Sequence, residues 1–325
     1  MAINIRRLRL VAAALVGAVL ASAWTVWDAV RFKVPDEATL LDALGPLESE
    51  TPEVQTLLRN ASDAVPLAKP PRGDWLAEHP EEVQTFADYA ALYPRQPRSG
   101  MRPIAVGWVG SRPEGWKSES EAVSMFLGLT FQGPVKEVAD FPTEGIASRD
   151  RAGRRQLYAP AILERLGPAV PHGAACLLTL TAEDLYPKDS WNFIFGLASF
   201  EGRAGVHSVA RLDSPDRATR LRRVLIVAGH EAGHAFGLRH CVFRRCLMNG
   251  INSLDELDRK STAFCPICLR KLAWGAGIDI LRMHRELAVF LAKVGLPAEA
   301  SIYQLRLQAG REVGQGPAPR HNSPP

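Results

Sequence analysis

Eleven residues, His230-Glu231-Ala232-Gly233-His234-Ala235-Phe236-Gly237-Leu238-Arg239-His240, constrain this chain more than any other stretch. His230 and His234 stand four positions apart. On an α-helix they share one face, one turn apart, so both imidazoles can reach one cation. The preceding Val224-Leu225-Ile226-Val227-Ala228 is apolar, so this helix runs through the core. Gly237 can take a positive φ, end the helix and turn the chain so that His240 returns as a third ligand. Three neutral imidazoles leave a fourth position for water, the arrangement of a catalytic zinc. Glu231 stands beside them without occupying a ligand position. Zinc acidifies a water, and Glu231 is placed to take its proton as general base during attack on a carbonyl. The short His-Glu-x-x-His pattern alone is weakly specific, and Gly237 and His240 are what strengthen it.

A second ligand set begins on the next residue. Of five cysteines, Cys241, Cys246, Cys265 and Cys268 lie close together, and Cys176 is apart in an apolar run. A disulfide framework distributes its cysteines over a small fold, whereas this clustering favours a local metal site. Four thiolates form a closed, structural zinc site that pins the loop after the active helix to the start of the next one. Two disulfides or a redox Cys-x-x-Cys are the alternatives. Cys176 is expected to be a buried core thiol. Met248, followed by the turn signal Asn249-Gly250, falls where a methionine beneath the metal site would lie.

Around these motifs the pattern is α/β. Strands are predicted at Pro103–Val109, Val135–Ala139, Ala175–Thr181, Phe193–Ser199 and Val206–Leu212. The run at Ala175–Thr181 suits a strand buried on both faces. Helices are predicted at Glu119–Leu129, Pro160–Leu166, from Ala218 to Gly237, from Pro266 to Trp274 and from Ile280 to Val294. Four segments result: 1–27, a signal or anchor; 28–100, an extension and linker; 101–298, the catalytic domain; 299–325, a tail with a disordered Gly/Pro-rich end. Phe193–Ser199 is the candidate edge strand to which an extended peptide could add by backbone hydrogen bonds. Trp191, Asn192 and Arg211 are further candidates to line the site.

Arg6, Arg7 and Arg9 precede an apolar run from Leu10 to Trp27, and Ala21-Ser22-Ala23 would suit signal-peptidase cleavage. This predicts export through an N-terminal signal, or membrane anchoring by residues 10–27. The net charge is only +4, and no Lys/Arg block is interleaved with aromatics. Nucleic acid is therefore not expected as a partner.

The combined pattern resembles the archaemetzincin family of metzincin zinc metallopeptidases: the three-histidine motif running directly into Cys241, then Cys246-Leu247-Met248, then Cys265-Pro266-Ile267-Cys268. Upstream, Arg155-Gln156-Leu157-Tyr158, Asp184-Leu185-Tyr186-Pro187, Asn192-Phe193-Ile194-Phe195-Gly196 and Ser208-Val209-Ala210-Arg211-Leu212 also look like family segments. The resemblance covers residues 101 to 295. It implies an α/β (α+β) metzincin-like fold: a twisted, mostly parallel sheet with an antiparallel edge strand, an active-site helix, a Met-turn and C-terminal helices. It implies two zinc ions, a catalytic one on His230, His234 and His240 and a structural one on Cys241, Cys246, Cys265 and Cys268. Glu231 is then the general base and Met248 the Met-turn residue. The expected activity is hydrolysis of peptides or small proteins. The competing readings are a catalytically silent, zinc-stabilised peptide-binding protein and a non-peptide amide hydrolase.

Overall fold

The computed structural model describes residues 32–96 and 102–312. The Leu10–Trp27 segment lies outside them. Among the described residues no helix is long and apolar enough to cross a membrane.

The elements run α1 (Glu37–Leu44), α2 (Pro52–Arg59), α3 (Trp75–Glu78), α4 (Phe86–Leu92), β1 (Ile104–Val109), α5 (Lys117–Phe131), β2 (Val135–Glu137), β3 (Ser148–Arg151), β4 (Arg154–Tyr158), α6 (Ala159–Leu166), β5 (Cys176–Thr181), β6 (Asp184–Tyr186), β7 (Gly196–Ser199), β8 (Ala204–Ser208), α7 (Arg217–Ala235), α8 (Leu254–Asp258), α9 (Pro266–Gly275), α10 (Ile280–Lys293) and α11 (Pro297–Glu312). The main sheet has the order β2-β1-β5-β8-β7. All its pairs are parallel except β7 with β8, so β7 is an antiparallel edge strand.

Every residue of β1 and β5 is buried, as their near-continuous apolar runs suggest for strands covered on both faces. Alternation along β1 divides the core. Ile104, Val106 and Trp108 join the larger cluster, which contains Val123, Phe126 and Leu127 of α5 and Val224, Leu225 and Ala228 of α7. Ala105 and Val109 join the smaller one, with Ile162 and Leu166 of α6 and Leu157 of β4. The architecture is mixed α/β, built on a mostly parallel sheet with packed layers on both sides.

Three features depart from the sequence expectations. First, residues 32–96, read as an extension and linker, pack into the core of the molecule. Leu40, Leu44, Leu57 and Leu58 belong to the same core as the sheet. Asp63 pairs with Arg306 of α11 at 2.7 Å, and Arg270 of α9 donates to the carbonyls of Leu44 and Pro46. Second, the stretch assigned to a tail begins with α11. Pro297 opens that helix, and Ala300, Tyr303 and Leu307 put a 3-4 spaced apolar stripe into the core. Third, a small second sheet, β3-β4-β6, stands outside the main one. Its hairpin turns at Ala152 and Gly153, both at positive φ. Its strands are too arginine-rich to show an apolar alternation.

Candidate metal centres and cleft

The helix α7 is set by its ends. Asp216 caps the first turn by accepting from Thr219 N at 2.9 Å. At the other end Gly237 takes φ +88, with Gly237 N donating to His234 O and Leu238 N to Gly233 O. This is a Schellman-type stop, and it sends the chain back toward the helix, as the sequence predicts.

The turn brings His240 to His230 and His234. One ligand atom from each lies within 4.8 Å of the others, and the Nε2 atoms of His230 and His234 are 3.1 Å apart. Nitrogens at the corners of a zinc tetrahedron would be about 3.3 Å apart, so the donor set fits the ion. The other ring nitrogens are each engaged. His230 Nδ1 meets Leu247 O at 2.9 Å, and His234 Nδ1 meets Leu238 O at 2.7 Å. His240 Nδ1 meets a carboxylate, Glu81 Oε1, at 2.6 Å. Burial holds His230 well below the usual imidazole range, helped by the neighbouring His234 and His240, and holds His234 down to about 3. Both rings are therefore neutral, as a ligand must be.

Glu231 is buried beside this trio. Burial pushes its carboxyl up to about 8. The backbone of β7 passes directly over it at Gly196. Behind the helix, Met248 packs against Gly233 so closely that a Cβ there would lie 3.1 Å from Met248 Cε and nearer still to its Sδ.

Cys241, Cys246, Cys265 and Cys268 form the second cluster, all buried and all unbridged. The Cys241 and Cys265 sulfurs are 3.7 Å apart, too far for a disulfide. Sulfurs around a tetrahedral zinc would be about 3.8 Å apart, so this set also fits. Backbone N–H groups of Met248 and Cys265 point at Cys246 Sγ, at 3.4 and 3.1 Å. Asn249 ties the loop by donating to the carbonyls of Cys241 and Arg244 and accepting from Cys246 N. Cys176 is buried in β5, away from both sets, as expected.

A cleft of ≈ 510 Å³ opens over the histidines, lined among others by Trp75, Glu81, Trp191, Leu197, Phe200 and Glu231. Of the three extra candidates, only Trp191 faces it. Asn192 accepts from Arg151, and Arg211 pairs with buried Asp184 at 2.7 Å and stacks on Phe193. Both brace the loop that feeds β7. The residues that sequence reading missed come from the first hundred. Trp75 packs edge-on to His240 and Trp191, and Glu81 bonds His240. Neither carried a spacing signal, because their partners lie more than a hundred residues away in the chain.

The model of Peptidase family M54 matches residues 172–274. Archaemetzincin-2 of Macaca fascicularis is 32% identical over 254 residues, covering 66% of this chain and 71% of that protein. Archaemetzincin of Methanopyrus kandleri is 50% identical over 96 residues, covering 30% of this chain and 54% of that protein. The crystal structure of the Methanopyrus kandleri archaemetzincin superposes with a TM-score of 0.46 at 35% identity, covering 54% of this chain and 96% of that one. The chain belongs to the archaemetzincin family and is a zinc metallopeptidase.

Proposed function

We propose that the cleft is a metzincin-type active site that cleaves peptide bonds with Glu231 as general base, and that the chain holds two zinc ions. The observation that carries this reading is the buried Glu231 carboxylate, set beside three histidines whose Nδ1 atoms are all engaged and under the backbone of an edge strand. His230, His234 and His240 would hold the catalytic zinc, and the four cysteines the structural one. Bound at the histidines, zinc supplies Lewis-acid polarisation of a carbonyl and acidification of a water.

The rest is the work of the chain. An extended peptide adds to the free edge of β7, whose other edge is taken by β8. A peptide bound there would bring its scissile carbonyl toward the histidines. Glu231 takes a proton from the attacking water and returns it to the leaving amine. Its burial favours the protonated form at rest, and a nearby cation draws it back toward the ionised form a base requires. Met248 supports the helix from beneath at Gly233, the place of a Met-turn residue.

Glu231→Gln tests the reading. The variant is expected to keep both zinc ions and to lose hydrolysis of a peptide library by about 10²–10⁴-fold. Retained hydrolysis would remove Glu231 from the mechanism. We further propose that residues 10–27 direct export or anchor the protein. Fractionation of cells expressing the full chain, with mass spectrometry of its N-terminus, distinguishes a cleaved signal from an anchor, and a cytosolic full-length protein overturns both.

A further inference from the structure

The three histidines are not held alike. His230 and His234 offer Nδ1 to backbone carbonyls supplied by the loops that follow them in the chain. His240 alone is held by a charged side chain, Glu81, from 159 positions upstream. His240 sits on a loop, whereas the other two are fixed on one face of α7. Its ring is the one whose direction the helix does not set.

The contacts around Glu81 show a built arrangement. Its Oε1 also accepts from Trp75 Nε1 at 2.5 Å, and the indole packs edge-on to His240 with 5.1 Å between ring centres. Trp75 is in turn seated against Gly250, where a Cβ would collide with the indole, and its backbone N donates to Glu256 Oε2 at 3.0 Å. Three residues beyond Glu81, Gln84 donates to Gly237 O and accepts from Arg239 N, both at 3.1 Å. Tyr93 fills the space beside Gly237. Residues 74–93 thus grip both sides of the turn that delivers His240.

We propose that Glu81 is a positioning residue of the metal site. Its carboxylate accepts a hydrogen bond from Nδ1–H of His240, so that Nε2 keeps its lone pair and faces the space shared with His230 and His234. A carboxylate in this place fixes tautomer and ring direction and raises the basicity of the ligating nitrogen. The proposal deepens the reading that the three histidines hold zinc, and rests on it.

The test is Glu81→Gln in the full chain. Glutamine keeps the shape and an oxygen for both Trp75 and His240 and removes only the charge. Zinc affinity is measured by chelator competition, with thiol reactivity reporting the cysteine site separately. The expected result is a 10–100-fold weaker affinity at the histidine site, unchanged thiol protection, and the same melting temperature as wild type in the metal-free state. Glu78→Gln on the same arm is the control and leaves zinc affinity unchanged. Affinity within twofold of wild type overturns the proposal. So does a raised KM with unchanged zinc affinity, which would make Glu81 a substrate contact. A rise in activity also overturns it, because the carboxylate would then be an inhibitory plug. If the metal-free variant melts lower, the visible spectrum of the cobalt-substituted protein decides: a shifted spectrum supports the proposal and an unchanged one overturns it. Failure of the underlying reading looks different, since His234→Gln would then leave the zinc content of the protein unchanged.

Discussion

The α-carbon of Gly196 in β7 leaves no room for a side chain above Glu231. A Cβ there would lie 2.6 Å from the carboxylate carbon and closer still to one of its oxygens. The edge strand proposed to carry substrate and the proposed base are therefore in van der Waals register, and the glycine sets that spacing. Gly196→Ala is expected to lower kcat by about 10²-fold through displacement of the carboxylate by roughly an ångström. Zinc content should be unchanged. Steady-state kinetics together with metal analysis check this, and a fully active variant would show that Glu231 can shift freely.

Gly233 and Met248 form the matching pair on the other side of α7. Gly233→Ala overpacks the contact with the thioether and should cost about 1–3 kcal/mol in urea unfolding. Met248→Ala should relieve that cost, because the methyl group then fills space the methionine has vacated. A double-mutant cycle is expected to show favourable coupling between the two substitutions, and simple additivity would deny the contact.

The cysteine cluster predicts a separable loss. Cys268→Ser should release one of the two proposed zinc equivalents and lower the melting temperature, since a structural zinc contributes to folding directly. The loop at Cys241–Asn249 also carries Leu247, whose carbonyl holds His230, so the second zinc should bind more weakly as well. Metal analysis at graded chelator concentrations checks both steps.

Two histidines outside the site predict an acid response. Burial lowers His207 and His284 to about 3, and each has a ring nitrogen with no partner. Unfolded, both would titrate near 6.5. The unfolded chain then binds more protons below that value, so the stabilisation is complete above pH ~6.5 and is lost progressively as pH falls toward 3. Each contributes about 1.4 kcal/mol per pH unit in that window. Urea unfolding at pH 7.5, 6.0 and 5.0 should show the slope, and His284→Gln should reduce it.

Much of the site was legible because it is local. His230, Glu231, His234, Gly237 and His240 lie within one helix and its stop: helical spacing places the first three together, and the glycine turn returns His240 to them. The cysteines are nearly as local, and β1, β5 and α7 announced themselves by apolar runs. What escaped was held by long-range polar contacts. Glu81 reads as one acidic residue in a proline-containing stretch, and nothing in its neighbourhood points to His240. The hairpin of β3 and β4 is stitched by arginines, with Arg149 reaching the carbonyl of Asp189 and buried Gln156 bonding Asp184 at 2.8 Å, a pattern without hydropathy signal. α11 did carry a signal, the stripe Ala300, Tyr303 and Leu307 behind Pro297, which the polar residues between them obscured.

The docking of residues 74–93 also fixes an order of events during synthesis. This segment leaves the ribosome early, yet its seats are Gly237, Gly250 and Gly275, made near the end. Until those glycines emerge, Trp75, Tyr89 and Tyr93 lack the seats they occupy in the folded protein. The arm therefore docks only after the second half of the chain, His240 included, has been made.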